Sequence, residues 1–500
     1  MLTKRASGVL MHISSLPDDS AIGTFSQEAY DFVDRLKKAG QTYWQILPLG
    51  PTGFGDSPYQ SFSTFAGNPY FIDLKELCRL GYLGKEDYDN ADFTSNATRV
   101  DYGKIYTSRY RLFKKIQPNF EKNIPDDYFD FCKNEAYWLD DYSLFMAIKD
   151  SFGAVSFHKW DKEHKHRESP AVKEFEKSHK KETEFYKMLQ YFFFTQWEHL
   201  KNYANKNGIK IIGDLPIYVS DDSCDVWSNP KVFCLDENLD SRIVAGCPPD
   251  AFTDEGQLWG NPLYDWNYLK GTGYKWWIDR IKGALRLYDV VRIDHFRGFE
   301  SYYSVKAEAK NAKNGEWLKG PNMDLWSTVK KQLGDIPVIA EDLGFLTDGV
   351  RRLLDESGFP GMKVLQFAFD SREESDYLPH NYTRNSVVYT GTHDNDTING
   401  WLKAADKRDI EFAKKYLRVK EDDDFARVMM QSALASVSDI CILTMQDLLG
   451  LSTEARMNIP SSLSNNWRWR ATKKQLDEAD WNFLYENTRL YGRLNGRVVE

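Results

Sequence analysis

The segment Val290-Val291-Arg292-Ile293-Asp294-His295-Phe296-Arg297-Gly298 sets an arginine and an aspartate into an apolar, β-branched run that then breaks into a polar turn. A short run of this kind between turn residues is typical of a buried strand in a parallel sheet. Side chains two residues apart on a strand lie on the same face, so Arg292 and Asp294 should be neighbours. A cation beside a carboxylate lowers the pKa of that carboxylate, and we therefore expect Asp294 to stay ionised. Taken alone, the pair is better explained as a structural ion pair that closes one end of a barrel, and the acidic strand ends downstream change that balance.

Seven further apolar runs of similar length repeat this pattern, and most of the segments between them have helical periodicity, such as 274–287 and 349–357. The predicted strands cover 8–13, 43–49, 209–214, 290–294, 336–341, 363–369, 386–391 and 440–445. Strands that alternate with helices in this way predict an α/β protein with a (β/α)8 TIM barrel. A doubly wound open sheet is the alternative.

We expect a single catalytic barrel over residues 1–500 that carries two insertions. Residues 68–205 interrupt the strand rhythm with long helical patterns, which indicate an inserted, mainly helical subdomain. Residues 219–270 are rich in Trp, Pro, Gly and Asp, and they predict a loop-rich subdomain over the barrel mouth. After the eighth strand, too little of the chain remains for a separate C-terminal β-domain.

The composition argues against several classes of protein. The 65 basic and 74 acidic residues give a net charge of −9, which disfavours a nucleic-acid partner. The six cysteines form no C-x-x-C pair, so we expect free thiols in a reducing compartment and no zinc site. The start of the sequence lacks the apolar core of a signal peptide, and no apolar run is long enough to span a bilayer. These features predict a cytoplasmic protein without a membrane partner, and no pattern indicates the oligomeric state.

Acidic residues recur where the predicted strands end. Strands three, four and five end in Asp214, Asp294 and Glu341, and strand seven leads into His393 and Asp394. In TIM barrels, carboxylates at the C-terminal strand ends point into the active-site mouth. Because like charges in a partly dry site repel each other, at least one of the pKa values must rise. A nucleophile and a proton donor require such a separation of pKa values.

The neighbours of each carboxylate indicate its role. Arg292 favours an ionised Asp294 as nucleophile, whereas the apolar residues before Glu341 favour a raised pKa and an acid/base role. Neighbouring strand ends bring two carboxyls to about 5 Å, the separation that retaining glycosidases use. Asp394 would then bind sugar hydroxyls and stabilise an oxocarbenium-like transition state, with a hydrogen bond from His393.

A divalent metal is the rival ligand for these carboxylates. Asp394-x-Asp396 has the start of a calcium-loop spacing, but the loop lacks Gly at its sixth position and Glu at its twelfth, and no His/Cys cluster accompanies it. The loop 50–59 contains three glycines without the spacing of a phosphate loop. We therefore predict no metal and no cofactor.

The segments around the carboxylates resemble those of a known family. They are Gly213-Asp214-Leu215-Pro216, Val291-Arg292-Ile293-Asp294-His295-Phe296-Arg297-Gly298, Ile339-Ala340-Glu341-Asp342-Leu343-Gly344 and Gly391-Thr392-His393-Asp394-Asn395-Asp396-Thr397, with further matches at 57–60, 246–250, 259–262 and 466–470. Together they resemble the amylomaltases, which are the 4-α-glucanotransferases or disproportionating enzymes of the α-amylase clan. The resemblance covers essentially the whole chain.

The resemblance implies a retaining transglycosylase without a cofactor, which cleaves an α-1,4-glucan and transfers the glucanosyl unit to the 4-OH of another glucan or of glucose. It implies Asp294 as nucleophile, Glu341 as acid/base and Asp394 as transition-state stabiliser. The substrate-binding residues that it implies are Tyr59, Asp214, Arg292 and His393 at the donor sugar, with Ser57 and Phe54 in the loop that carries Tyr59, and Pro249, Asp250 and Trp259 on the acceptor side.

Transfer in place of hydrolysis requires that a sugar hydroxyl outcompete water at the reacting centre. A loop over the mouth and aromatic platforms at Phe54, Tyr59 and Trp259 would provide this bias, although core packing explains Phe54 equally well. One alternative is an α-1,4-glucan hydrolase that uses the same carboxylates. Another is a non-catalytic glucan-binding protein, which should have lost at least one of them.

A late loop departs from the pattern of the family that the sequence resembles. Where that family has Pro-Gly and then Gly-Asn-Trp, this chain has Pro460-Ser461-Ser462 and Asn465-Asn466-Trp467. Glycines often mark positions that need an unusual backbone conformation. We therefore expect the substitutions to change the backbone near the acceptor groove.

Overall fold

Eight parallel strands close into a barrel in the computed structural model, which describes residues 5–53, 55–93, 96–249, 254–344, 346–462 and 465–495. The strands of this described part are β1 (Ala6–Leu10), β2 (Tyr43–Gln45), β3 (Lys210–Leu215), β4 (Ile243–Cys247), β5 (Gln257–Pro262), β6 (Val290–Ile293), β7 (Ser301–Lys306), β8 (Glu316–Lys319), β9 (Val338–Ala340), β10 (Gly361–Val364), β11 (Ser386–Tyr389) and β12 (Ile440–Thr444). The barrel order is β1, β2, β3, β6, β9, β10, β11 and β12, and β12 pairs again with β1. The predicted (β/α)8 barrel is confirmed, and the open sheet is excluded.

The register of the central strands brings the predicted acidic residues to one end of the barrel. Asp214 on β3 lies opposite Arg292 on β6, and Ile293 on β6 lies opposite Ala340 on β9. Asp294 and Glu341 directly follow these paired residues, so both leave the barrel at the same level. This alignment confirms that strand ends far apart in sequence meet at a single mouth.

The sixth barrel strand begins two residues before the predicted run 363–369 and ends within it. A Cβ atom at Gly361 would lie 2.6 Å from Oδ2 of Asp342, so this position has no room for a side chain. The Oδ1 atom of Asp342 accepts a hydrogen bond from the backbone N–H of Met362 at 2.6 Å. Beyond the strand, residues 365–385 are fully described and form two 3₁₀ helices, Leu365–Ala368 and Pro379–Asn381, in place of an α-helix.

Apolar side chains fill the barrel interior below the mouth. They are Ala6, Leu10, Tyr43, Ile212, Val290, Ile339, Met362, Val364, Val387, Tyr389, Ile440 and Ile442. The hydroxyl of Tyr389 donates to Oε1 of Gln45 at 2.9 Å, which satisfies both buried polar groups. The polar residues at the mouth therefore stand on a dry core, where the pKa values of carboxyl groups are expected to rise.

Helices enclose the barrel. Outside the segment between β2 and β3, the α-helices are Gln27–Lys38, Cys224–Ser228, Trp266–Gly271, Lys275–Leu287, Met323–Leu333, Asp348–Ser357, Ile398–Ala404, Lys407–Leu417, Phe425–Ala435, Met445–Leu448, Lys473–Glu478 and Trp481–Leu490. Between β2 and β3 lie Leu74–Arg79, Lys85–Asp89, Tyr102–Lys122, Tyr128–Ser151, Lys162–Lys165, Pro170–Ser178 and Lys180–Lys206. The first helix buries Phe32 and Val33 and is followed by Gly40 with φ +69°, as its sequence pattern predicts.

A small antiparallel sheet was not expected from the sequence. The segment 219–270, predicted as loop-rich, contributes β4 and β5, and the sheet order is β5-β4-β7-β8. Glycine and proline residues within these short strands, such as Gly246 and Pro262, are typical of turns and hid the strand pattern. The sheet brings Trp259 on β5 toward the barrel mouth. The division of the chain into a barrel and two inserted subdomains stays a prediction.

Within the part of the chain that the structure describes, no helix has both the length and the apolar character needed to cross a membrane.

Candidate active site

Arg292 is the cation at the centre of the site. Its Nη1 atom donates to Oδ2 of Asp214 at 2.6 Å and to Oδ1 of Asp294 at 3.1 Å, and its side chain is only 4% exposed. Its Nε atom lies 3.4 Å from the sulfur of Met362 in the barrel interior. The predicted contact between Arg292 and Asp294 is confirmed, and the strand register adds Asp214 as a second partner.

Tyr59 reaches the same cluster from the loop after β2. Its hydroxyl donates to Oδ2 of Asp214 at 2.7 Å, beside the hydrogen bond from Arg292. The side chain of Asp214 is completely buried. Two donors on one buried carboxylate oxygen compensate for its removal from water. Asp214 therefore fixes both the tyrosine and the guanidinium at the floor of the mouth.

Glu341 is held beside Asp294 by backbone groups. The Oε2 atom accepts from the N–H of His295 at 2.6 Å, and the Oε1 atom accepts from the N–H of Leu343 at 3.1 Å. His295 has a left-handed backbone with φ +50°, which turns the chain immediately after Asp294. The N–H of Phe296 also donates to the Glu341 carbonyl at 2.9 Å. The hydrogen bonds from His295 and Phe296 therefore join the segment that carries Asp294 to the segment that carries Glu341.

Burial changes the protonation of both carboxyl groups. Burial raises the pKa of Asp294 to about 8. The negative charges of Asp214, Glu341 and Asp394 raise this pKa further, and together with burial they outweigh the positive charge of Arg292, which lowers it. Burial also raises the pKa of Glu341, against Arg292 and the two backbone donors. The expectation that Arg292 alone keeps the pKa of Asp294 low is therefore wrong. At neutral pH the pair of Asp294 and Glu341 retains a proton.

His393 forms an aromatic wall with Tyr59 and Trp467. The rings of Tyr59 and His393 are stacked, with centroids 5.2 Å apart and planes at 15°, and the Trp467 ring lies 5.8 Å from His393. Burial lowers the pKa of His393, so the imidazole is neutral at physiological pH. The wall gives the mouth a flat apolar side of the kind that packs against a sugar ring.

Asp394 is held by two residues, Asn458 and Arg456, that the sequence patterns did not single out. The side-chain amide of Asn458 donates to its Oδ1 atom at 2.7 Å, and Nε2 of His393 lies 3.4 Å from the same atom. Arg456 donates to the backbone carbonyl of Asp394 at 2.6 Å. Asn458 and Arg456 follow β12 outside any strand or long helix, so neither periodicity nor a strand end marked them.

Trp259 contacts His295, the residue that follows Asp294. The two rings meet edge to face, with centroids 4.9 Å apart and planes at 89°. The indole N–H donates to Oε1 of Gln257 at 3.1 Å. Because His295 directly follows Asp294 in the chain, this ring contact places Trp259 close to Asp294. The position agrees with the predicted place of Trp259 near the site.

The remaining predicted residues have different outcomes. The hydroxyl oxygen of Ser57 accepts from the N–H of Tyr59 at 3.3 Å, so Ser57 shapes the turn that presents the tyrosine. Pro249 is exposed at the end of a described segment. Phe54 and Asp250 lie outside the described residues.

The late loop keeps a left-handed backbone without glycine. Ser461 has φ +62°, and Asn465 has φ +64°. These are the positions at which the resembling family has glycine, and φ values in this range favour glycine. At both positions serine and asparagine occupy the left-handed region themselves. The expected change of backbone relative to that family stays a prediction.

Among residues 5–53, 55–93, 96–249, 254–344, 346–462 and 465–495, no group of three or more His, Cys, Asp or Glu side chains is arranged to hold a metal ion.

Comparison with known proteins places this geometry in a family. The sequence profile of the 4-alpha-glucanotransferase family matches residues 11–475. A 4-alpha-glucanotransferase from Clostridium butyricum is 50% identical over 485 residues, which are 97% of this chain and 100% of that protein. A 4-alpha-glucanotransferase from Streptococcus pneumoniae is 48% identical over 502 residues, which cover 100% of this chain and 99% of that protein.

A solved structure agrees with the sequence comparisons. The amylomaltase from Streptococcus agalactiae in complex with acarbose superimposes with a TM-score of 0.96 and is 44% identical, over 98% of this chain and 100% of that one. The barrel, the carboxylates at its mouth and these matches over nearly the full length lead to one conclusion: the chain is an enzyme of the 4-α-glucanotransferase family.

Proposed function

We propose that the protein transfers glucanosyl units between α-1,4-glucans by a retaining double displacement, with Asp294 as nucleophile, Glu341 as acid/base and Asp394 as stabiliser. The observation that best supports this proposal is the pair of hydrogen bonds at Asp294 and at the residue that follows it. Arg292 donates to its carboxylate, and the next residue, His295, donates to Glu341. This arrangement supports two carboxyls with separate roles on either side of one glycosidic bond.

In the first half of the reaction, a carboxylate oxygen of Asp294 attacks the anomeric carbon of the donor sugar. The bond from that carbon to the leaving 4-oxygen breaks, and Glu341 gives its proton to this oxygen. The single proton that the pair of carboxyls retains is the one this step requires. Arg292 donates a hydrogen bond to Asp294 and none to Glu341, so we propose that the proton resides on Glu341 when a sugar lies between the two carboxyls.

In the second half, the ionised Glu341 accepts the proton of an incoming 4-hydroxyl group. The hydroxyl oxygen bonds to the anomeric carbon, and the ester bond to Asp294 breaks, so the carboxylate is regenerated. Two inversions give net retention of the α-configuration. Asp394 faces the developing positive charge, and Tyr59 and His393 supply a flat wall for the donor sugar.

Transfer to a glucan depends on the acceptor side of the mouth. Trp259, which packs edge to face on His295, is the aromatic platform that we assign to the acceptor. The amylomaltase from Streptococcus agalactiae is described in complex with acarbose, and its 44% identity supports a maltooligosaccharide-shaped site in this chain. Both donor and acceptor are therefore proposed to be α-1,4-glucans or maltooligosaccharides. The hydrolase alternative uses the same carboxylates and differs in this acceptor site.

We also propose that the protein works in the cytoplasm. All six cysteines are free thiols, and two of them, Cys224 and Cys441, are buried. Free thiols in this number suit a reducing compartment.

The test is an incubation of the pure protein with maltotriose in the presence of a chelator, followed by chromatography of the products. Glucose together with a ladder of longer maltooligosaccharides is the expected result, and it would show transfer without a dissociable metal. Glucose and maltose alone would show hydrolysis and overturn the acceptor assignment. Unchanged maltotriose, with longer maltooligosaccharides also unchanged, would overturn the proposed activity.

A further inference from the structure

The segment 456–462 packs against the loop that carries Asp394, at the point where Asp394 projects into the mouth. The side-chain amide of Asn458 donates to Oδ1 of Asp394 at 2.7 Å, and the backbone N–H of Asn458 donates to the carbonyl of His393 at 3.0 Å. One residue thus binds both the side chain of Asp394 and the backbone of its predecessor. Such paired contacts fix the direction of a carboxylate as well as its position.

Arg456 completes this attachment from the same segment. Its Nη2 atom donates to the carbonyl of Asp394 at 2.6 Å, and its Nε atom donates to the carbonyl of Asn458 at 2.8 Å. The guanidinium therefore ties the backbone of the catalytic residue to the backbone of the residue that holds its side chain. The relative position of Asp394 and Asn458 is set by both contacts together.

The two oxygens of Asp394 have different surroundings. Oδ1 receives the Asn458 amide and lies 3.4 Å from His393, whereas Oδ2 has no hydrogen-bond partner among the described residues. The Asp394 side chain is 45% exposed to the mouth. A half-exposed carboxylate on a loop has several accessible rotamers unless a neighbour restricts it. The Asn458 amide restricts it by engaging one oxygen and leaving the other for a ligand.

From this geometry we propose that Asn458 is a positioning residue for the reaction: it holds Oδ1 of Asp394 so that Oδ2 meets the sugar hydroxyls in the transition state. The inference rests on the proposed function, because it deepens the role given there to Asp394. Stabilising contacts that form fully only in the transition state affect kcat more than KM. Asn458 therefore acts mainly on kcat, through Asp394.

The variants Asn458→Ala and Asn458→Asp separate the amide donor from the shape of the side chain. Both should lower kcat for transfer from maltotriose by about 10–100-fold, with KM changed less than about 3-fold. The aspartate has nearly the same shape as asparagine but repels Asp394, so it should be at least as damaging as alanine. Asn399→Ala is the matched control, since it removes an exposed amide that donates to the Gly450 carbonyl at 3.0 Å and does not contact Asp394.

A double-mutant cycle with Asp394→Asn distinguishes positioning from a general structural role. With maltosyl fluoride as an activated donor, Asn458→Ala should lower the rate about 10–100-fold in the natural background and less than about 3-fold in the Asp394→Asn background. Equal losses in both backgrounds, or kcat values for Asn458→Ala and Asn458→Asp equal to that of Asn399→Ala, would overturn the inference. Transfer by the unsubstituted protein is measured in parallel, so a failure of the proposed function is recognised separately.

Discussion

At Asp294, folding and catalysis make opposite demands on one carboxyl group. As the proposed nucleophile, Asp294 must be an anion, yet it stands on the apolar barrel core beside three other acidic residues, and burial raises its pKa to about 8. A carboxyl whose pKa is higher in the folded than in the unfolded chain binds its proton more tightly when folded. The free energy of unfolding therefore falls as the pH rises from about 4 to about 8. Such a loss in free energy of unfolding is expected at a functional site, where activity requires a group that destabilises the fold.

Asp294→Asn should consequently stabilise the protein at neutral and alkaline pH. The amide cannot ionise, so the variant avoids the penalty of a buried anion, while Arg292 keeps Asp214 as a partner. We expect the free energy of unfolding to rise by about 1 kcal/mol at pH 8 and the gain to vanish near pH 4. Denaturant unfolding at both pH values measures this. A gain of the same size at both would show that ionisation of Asp294 is not the cause.

The same substitution, compared with Glu341→Gln, separates the two catalytic roles. Asp294→Asn should reduce transfer from maltotriose by about 10⁴-fold, because no covalent intermediate forms. The Glu341→Gln variant should also lose transfer from maltotriose. It should still release fluoride from maltosyl fluoride, because fluoride leaves without being protonated. Fluoride release followed by an electrode measures both variants. Identical behaviour with maltosyl fluoride would contradict the division of roles.

At the level of secondary-structure elements, the sequence patterns correctly predict the barrel strands and the acidic residues at their ends. Period-two alternation places Arg292 beside Asp294, and the barrel then requires Asp214 and Glu341 to meet them. Asn458 was missed because it lies in an irregular segment whose contact with Asp394 exists only after folding. The pKa of Asp294 was misjudged for a related reason: the desolvation that raises it comes from neighbours on other strands.

The loop that carries Asn458 also contains Ser461, whose backbone conformation favours glycine. Ser461 has φ +62°, a region that costs a residue with a Cβ atom about 1 kcal/mol relative to glycine. Glycine also gains freedom in the unfolded chain, which offsets part of the benefit. Ser461→Gly should therefore raise the free energy of unfolding by about 0.5 kcal/mol. Ser371→Gly, at an exposed position without a positive φ, is the control and should lower it. Denaturant unfolding that shows the same sign for both would contradict the prediction.

On the scale of the whole molecule, the helical segment between β2 and β3 is tied to the segment that follows β3. His158 contributes to this link with ion pairs to Asp221 at 2.7 Å and to Asp240 at 2.9 Å. Lys165 lies 3.6 Å from Asp240, so the cluster has cations on one segment and anions on the other. Because the second segment leads into β4 and β5, the link connects the helical segment to Trp259, which packs on His295 at the mouth.

His158→Gln should weaken the molecule in a pH-dependent way. Burial lowers the pKa of His158, but the contacts with Asp221 and Asp240 exceed this effect and leave the pKa above its ordinary value. The stabilisation is therefore complete below about pH 6.5 and is lost as the pH rises through the folded-state pKa. We expect the natural protein to exceed the variant by about 1 kcal/mol in free energy of unfolding at pH 6 and by much less at pH 9. His199→Gln, on an exposed helix face, is the matched control. Denaturant unfolding at both pH values decides the matter, since a difference that stays constant with pH would mean that His158 acts by packing and not by charge.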